Sequence, residues 1–161
     1  MKNFITGFFI GGILGLVGGF AAGIFVFPHL FPPPPVNEVV DTRTSSEIVA
    51  SGSFIHANPS DPVHYGKGRV IVYAKLLHLE ADFEVGPGPK FHVYLVPESD
   101  ITPATRVQDS MFVDLGRLKA FSGGQNYPIP DGVDLRTYKS VVIWCEQFNV
   151  LISPAVLKIA G

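Results

Sequence analysis

A single cysteine is the residue of this chain best suited to redox or ligand chemistry. Cys145 ends the apolar run of residues 141–145 (VVIWC), which lacks polar alternation and therefore predicts a strand covered on both faces. One cysteine cannot close a disulfide within its own chain or supply a cysteine-rich zinc site. A lone thiol can act as a one-electron site, a thiolate ligand, or a site of sulfenic acid or mixed-disulfide formation. A buried free cysteine also commonly serves as a small apolar side chain, so both interpretations stay open.

The side chains that could tune this thiol lie on its own strand or on a second predicted strand. A thiolate forms near neutral pH only beside a positive group, a helix N-terminus or a metal, and Lys139 and His92 are the candidate positive groups. We predict that the site's neighbours are His92, Tyr94, Trp144 and Glu146. No second ligand is spaced with His92, so the sequence assigns no metal site there and favours a hydrogen-bonded or surface histidine.

The sequence contains no motif for hydrolase or nucleotide-dependent chemistry. There is no GxSxG elbow, HExxH motif, Walker loop or dinucleotide fingerprint. The net charge of −2 without a basic block argues against a nucleic-acid-binding module. His56, Asp61 and His64 fall in one loop and could chelate a cation, but such residues are also typical of turns. An electron-transfer or binding module is therefore favoured over a stand-alone enzyme.

The elements that position these residues begin with an apolar segment. Residues 4–27 contain no charged residue, and a helix of that length reaches about 36 Å, enough for a hydrocarbon core of about 30 Å. A cleaved signal peptide is the alternative, but the apolar run continues past the small residues 21–23. Lys2 precedes the segment and the next Lys or Arg is Arg43, so the positive-inside rule places the N-terminus in the cytoplasm. We predict an uncleaved single-pass anchor over residues 1–27, in the cell (inner) membrane.

Glycines recur every four residues within this apolar segment. This spacing is typical of helices that approach one another closely in a bilayer, although glycine is also common in membrane helices generally. It predicts a homodimer or a contact with another membrane protein through one glycine stripe, which consists of Gly7, Gly11, Gly15, Gly19 and Gly23.

A proline-rich linker and one β-rich domain follow the anchor. Four consecutive prolines in residues 28–46 predict an extended polyproline stalk that holds the domain off the bilayer. Residues 47–161 show a period of two and frequent Gly-Pro punctuation, which predict an all-β, antiparallel β-sandwich-like domain outside the cytoplasm, periplasmic or extracellular. The candidate strands are Ile48 to His56, Val70 to Leu77, Leu79 to Val85, Lys90 to Val96, Met111 to Leu115, Lys139 to Glu146, Phe148 to Ile152 and Val156 to Ile159.

Seven sequence blocks follow one another in order through the β-rich part. They are residues 51–54 (SGSF), 66–68 (GKG) followed by 72–73 (VY), 79–83 (LEADF), 86–95 (GPGPKFHVYL), 113–119 (VDLGRLK), 124–130 (GQNYPIP) and 138–150 (YKSVVIWCEQFNV), with Ala155 and Leu157 closing. On these blocks the chain resembles a known family, the DM-thirteen or electron-transfer DM domain. The resemblance covers about Ser51 to Leu157 and departs from the family pattern at a lengthened Gly-Pro turn, residues 86–89.

The resemblance implies a β-sandwich-like extracytoplasmic domain whose characteristic cysteine, Cys145 here, takes part in redox chemistry or holds a prosthetic group such as haem. One cysteine cannot run a dithiol cycle, so this hypothesis requires a redox protein partner or a bound group. The alternative is a non-catalytic surface module that binds protein, glycan or matrix, with a structural cysteine.

Overall fold

The computed structural model describes residues 2–41 and 47–160. They form one long helix, one 3₁₀ turn and ten strands. The elements are α1 (Lys2–Leu30), β1 (Ile48–Phe54), β2 (Gly66–Lys67), β3 (Arg69–Tyr73), β4 (Leu76–Leu79), β5 (Glu84–Val85), β6 (Phe91–Val96), η1 (Val107–Asp109), β7 (Val113–Arg117), β8 (Gln125–Pro128), β9 (Ser140–Cys145) and β10 (Val150–Ile159).

Eight strands form a single antiparallel sheet in the order β7-β6-β9-β10-β1-β3-β4-β8. The two end strands, β7 and β8, approach each other. The amide of Lys119 donates both to Oε1 of Gln125 and to the hydroxyl of Tyr127, each at 3.1 Å, and so joins the segment after β7 to β8. The sheet is therefore curled into a nearly closed barrel. The predicted all-β, antiparallel fold with one N-terminal apolar helix is confirmed.

The core lies inside the curl of the sheet. Its aliphatic side chains include Val70, Leu77, Val93 and Ile143, all with no exposed surface, and each contributes about 1.5–3 kcal/mol by leaving water. A smaller apolar cluster covers the outer face of β6 and β9, where the loop around η1 packs on the sheet. Every residue of β9 is buried, as its unbroken apolar run predicts, because this strand has packed side chains on both faces.

Two predicted strand boundaries are wrong. The predicted strand over residues 70–77 is a hairpin, with β3 and β4 paired at Tyr73 and Leu76; the tight turn contains no glycine or proline that would have marked it. The predicted strands over residues 148–152 and 156–159 are one strand, β10, which passes through Pro154. A bulge between Leu151 and Ser153 interrupts the pairing with β9 just before this proline, and bulges are where strands accept a residue without an N–H.

Short strands account for the remaining differences. The predicted strand over residues 79–85 retains only the end of β4 and the two residues of β5, because residues 80–83 turn away from the sheet. Strands β2 and β8 were not predicted. Both contain turn-type residues and are strands only because a partner strand binds their backbone.

Helix α1 extends to Leu30, three residues beyond the predicted end of the anchor. The segment Asn3–Ile24 of this helix is long and apolar enough to cross a membrane. Its mean hydropathy is 2.0, and it is not buried against the rest of the protein. An N-terminal signal sequence has the same properties. The glycine stripe has open space around it, because a Cβ at any of its five glycines would meet no heavy atom within 4 Å.

Residues 36–39, within the predicted stalk, are attached to the β domain. The amide of Val36 donates to the carbonyl of Ser122 and that of Glu38 to the carbonyl of Gly124, at 3.3 and 2.9 Å. The Glu38 carboxylate accepts from Lys119 Nζ at 2.8 Å and from the amide of Asn126 at 2.6 Å. We call residues 36–39 the docked segment. The predicted free stalk over 28–46 is not seen here, and its last residues, 42–46, lie outside the described residues; the domain boundary at Glu47 stays a prediction.

Candidate functional site

Cys145 is the last residue of β9 and faces the interior of the curled sheet. It pairs with Phe91 on β6 and with Val150 on β10, and it is only 1% exposed. Its Sγ–H donates to the carbonyl of Pro89 at 3.3 Å. Pro89 belongs to the loop of residues 86–89, which we call the Gly-Pro loop. The thiol is therefore hydrogen-bonded to a loop at the rim of the sheet.

The surroundings of Cys145 keep its thiol protonated. Burial raises the pKa of the thiol above its ordinary value, and the negative charge of Glu146 raises it further. The amides of Phe148 and Gln147 act in the opposite direction without reversing this shift. In this conformation Cys145 is therefore a poor nucleophile and a poor thiolate ligand, because both roles need the deprotonated sulfur.

The predicted neighbours of Cys145 lie on the other face of the sheet. Successive side chains of a strand point to opposite faces, so Trp144 and Glu146 both point away from the core side of Cys145. His92 pairs directly with Trp144 and shares that outer face, and Tyr94 packs in the outer cluster with Trp144. Lys139 precedes the opposite end of β9 and donates to the carbonyl of Arg136 at 2.6 Å. The structure therefore places none of the predicted positive groups beside the thiol.

His92 and Glu146 instead form part of an outer-face cluster. His92 Nδ1 lies 3.0 and 3.1 Å from the two carboxylate oxygens of Asp114 on β7. His92 Nε2 lies 3.4 Å from Oε2 of Glu146. The Tyr94 hydroxyl donates to Oε1 of Glu146 at 2.9 Å, and Lys90 Nζ lies 3.7 Å from Oε2. We call His92, Asp114 and Glu146, with Tyr94, the outer cluster.

Tyr94 is held rigidly within this cluster. Its ring stacks on Phe112 with centroids 4.4 Å apart and an interplanar angle of 19°. Burial raises the pKa of its phenol, and the hydrogen bond and the charge of Glu146 raise it further. The phenol therefore stays protonated and serves as a fixed donor to the carboxylate.

Asp114 is the member of the outer cluster that sequence reasoning missed. It occupies the polar position of an apolar-polar-apolar triplet in β7, which indicates an outward-facing side chain but not its partner. The pairing of β6 with β7 contains a register shift between His92 and Tyr94, and this shift cannot be read from either strand alone.

The other histidine loop is arranged as a turn. Asp61 Oδ1 accepts from the amides of Val63 and His64, and Oδ2 lies 2.6 Å from Nδ1 of His64. His56 Nε2 bonds to the backbone carbonyl of Asp61 at 2.7 Å. The hydrogen bond from His64 is the largest of the causes that lower the pKa of Asp61 to about 2. These contacts engage the side chains in the loop itself, which favours the turn interpretation.

The family model described as electron transfer DM13 matches residues 59–157, well over half of the chain. The chain belongs to the DM13 family. No curated protein and no solved structure matches it. Membership identifies the β domain as an electron-transfer-related module and confirms the family predicted from the sequence blocks.

Neither Cys145 nor the cavity nearby fits the haem that the family resemblance suggests. A haem iron needs an axial side chain such as Cys, His, Met or Tyr. The Sγ of Cys145 is buried and hydrogen-bonded to the carbonyl of Pro89. A cavity of about 1120 Å³ lies nearby between the end of α1 and residues 88–91 and 117–121. Its described lining residues include no Cys, His, Met or Tyr, so neither place offers an accessible iron ligand.

Proposed function

We propose that this protein is a membrane-anchored, extracytoplasmic electron-transfer module in which Cys145 is the redox group and a redox protein is the partner. The observation that carries this proposal is the family match over residues 59–157, which contains Cys145 and the two residues that pair with it, Phe91 and Val150. Turnover depends on the partner, because one cysteine cannot form a disulfide within the chain.

The Gly-Pro loop is the element that would admit a reactant to the thiol. Three hydrogen bonds hold the Gly-Pro loop and the residue after it in place. Sγ of Cys145 donates to the carbonyl of Pro89. The amide of Gly86 donates to the carbonyl of Tyr65, and the amide of Glu146 donates to the carbonyl of Lys90. Lys90 itself has a φ of 51°, a conformation that costs a non-glycine residue free energy. Opening this loop exposes Cys145 without unpairing the eight-stranded sheet, and release from burial removes the main cause of its raised pKa.

The burial of Cys145 favours a second candidate function. A thiol that is 1% exposed within the main apolar core is also what a structural cysteine requires. In that case the domain is a non-catalytic module that binds protein, glycan or matrix through its loops. The two functions differ in whether Cys145 becomes reachable while the rest of the domain stays folded.

Alkylation of Cys145 in increasing urea is expected to separate these functions. If the Gly-Pro loop opens locally, the rate of iodoacetamide labelling at low urea is nearly independent of urea, because little surface is exposed in a local opening. A structural cysteine is instead labelled only through global unfolding, so its rate rises with the full urea dependence of the unfolding free energy. That second outcome would overturn the redox proposal. Cys145→Ser, whose hydroxyl retains a donor for Pro89, is the control for labelling elsewhere.

The anchoring part of the proposal rests on α1. Its apolar window over Asn3–Ile24 is long enough to span a bilayer, and Lys2 precedes it, which supports a cytoplasmic N-terminus by the positive-inside rule. The open space along the glycine stripe leaves room for a second α1 helix or for the helix of another membrane protein.

Sequencing the mature protein tests the anchor directly. We expect the intact N-terminus in the membrane fraction and retention there after alkaline carbonate washing, because a spanning helix is held by its buried apolar surface. A mature N-terminus at or after residue 23 would instead identify α1 as a cleaved signal peptide. The redox test on Cys145 is independent of this result.

A further inference from the structure

The outer cluster has the geometry of a metal-binding site whose ligands are already oriented. Asp114 accepts from Nδ1 of His92, an assignment that follows from the carboxylate, which has no proton to donate. In that tautomer the lone pair of His92 lies on Nε2. Histidines that bind metals characteristically donate their other ring N–H to a carboxylate in this way.

The unprotonated nitrogen of His92, Nε2, faces the carboxylate of Glu146 at a distance suited to binding one ion between them. Nε2 of His92 and Oε2 of Glu146 are 3.4 Å apart, beyond the range of about 2.7–3.2 Å for a good N–H···O hydrogen bond. Two ligands on one tetrahedral zinc ion, with bonds of about 2.0–2.1 Å, are separated by about 3.3–3.4 Å. The observed separation therefore matches two ligands of one ion better than a donor and its acceptor.

A neighbouring side chain also orients Glu146, as Asp114 orients His92. The Tyr94 hydroxyl donates to Oε1, so the other oxygen, Oε2, points towards Nε2. One ligand atom from each of His92, Asp114 and Glu146 lies within 4.8 Å of the others. Lys90 Nζ is the cation now nearest Oε2, at 3.7 Å, and its side chain is 55% exposed, so it can leave for water when an ion binds.

We propose that Nε2 of His92 and Oε2 of Glu146 bind a zinc ion, with Asp114 and Tyr94 as the residues that orient them. An imidazole with a carboxylate suits zinc better than magnesium or calcium, which prefer oxygen ligands alone. Two protein ligands leave two tetrahedral positions for water or for a side chain of a partner. The site is on the opposite face of the sheet from Cys145 and does not depend on the redox proposal.

Calorimetric titration of the untagged full-length chain in detergent with Zn²⁺ tests the site. We expect one ion per chain and no binding of Mg²⁺ at the same concentration. His92→Gln and Glu146→Gln are each expected to weaken zinc binding at least tenfold. Asp114→Asn and Tyr94→Phe, which leave both ligand atoms in place, are expected to weaken it about 10–100-fold and less than tenfold, respectively.

His64→Gln is the matched control, because His64 also pairs with a carboxylate, at 2.6 Å, but lies outside the outer cluster. It is expected to leave zinc affinity unchanged. Nitrogen chemical shifts of His92 provide a second readout that does not depend on the variants folding: Zn²⁺ shifts the Nε2 resonance of the wild-type chain. The proposal is overturned if wild type binds no zinc, if His64→Gln weakens binding as much as His92→Gln, or if His92 is an imidazolium whose resonances zinc does not change.

Discussion

Gly68→Ala is expected to lower the free energy of unfolding of the β domain by about 3 kcal/mol. Gly68 joins β2 to β3 with a φ of +99°, and a Cβ there would lie 2.6 Å from the nitrogen of Phe83 and would also overlap the backbone of Asp82. That backbone cannot move freely, because the amide of Arg69 donates to Oδ1 of Asp82 at 3.0 Å. The substitution therefore combines an unfavourable backbone conformation with a steric clash. Urea unfolding followed by tryptophan fluorescence measures the loss.

Gly116→Ala separates these two contributions. Gly116 has a similar φ of +116°, but a Cβ there would meet no heavy atom within 4 Å. Only the conformational cost applies, and we expect a loss of about 1–2 kcal/mol. Equal losses in the two variants would show that the close packing of residues 82–83 around Gly68 does not contribute.

Glu38→Ala is expected to release the docked segment from the β domain. The carboxylate accepts from Lys119 and from the amide of Asn126. Its loss leaves two backbone hydrogen bonds and the bond from Nδ2 of Asn126 to the carbonyl of Val39 to hold residues 36–39. Because Glu38 and Lys119 are both more than a third exposed, solvent screening limits the loss of stability to about 1 kcal/mol. The larger effect is local: we expect hydrogen exchange of the Val36 and Glu38 amides to accelerate about tenfold or more.

The effect of Glu38→Ala should depend on pH with a defined sign. The hydrogen bond from Lys119 lowers the pKa of Glu38 below its ordinary value of 4.5, so the ionised carboxylate stabilises the folded state. That contribution is fully present above about pH 4.5 and is lost as the pH falls through the lowered pKa. Wild type and variant should therefore converge in acid. Glu47→Ala is the control for removing an exposed glutamate near the start of the domain, and equal exchange rates in the two variants would contradict the docking.

The docked segment also alters how the domain is presented. Only residues 31–35 separate the end of α1 from Val36, and this length spans at most about 20 Å. If α1 crosses the bilayer, the edge of the domain near Ser122 and Gly124 stays close to the membrane surface instead of being held away by a long stalk. Four prolines in succession predict an extended segment, but extension alone does not show that the following residues bind the sheet.

Features that depend on local composition and periodicity can be read from the amino-acid sequence alone. The length and polarity of residues 4–27 indicate one apolar helix, because backbone satisfaction in an apolar segment is local. The period of two and the turn residues indicate antiparallel strands. The unbroken run ending at Cys145 correctly predicts a strand buried on both faces, and seven blocks in order predict the DM13 family.

Which side chains meet depends on how the strands pair in the folded domain. Strand alternation alone places Trp144 and Glu146 on the face opposite Cys145. The pairing of β9 with β6, and of β6 with β7 across a register shift, brings His92 to Asp114 and Glu146. The same pairing leaves Cys145 hydrogen-bonded to the Gly-Pro loop. Hydrogen bonds between strands join residues that are distant in sequence, and a shift of one residue would exchange the two faces. The lone cysteine was visible in the sequence; its burial, its raised pKa and the separate outer cluster follow from the closure of the sheet.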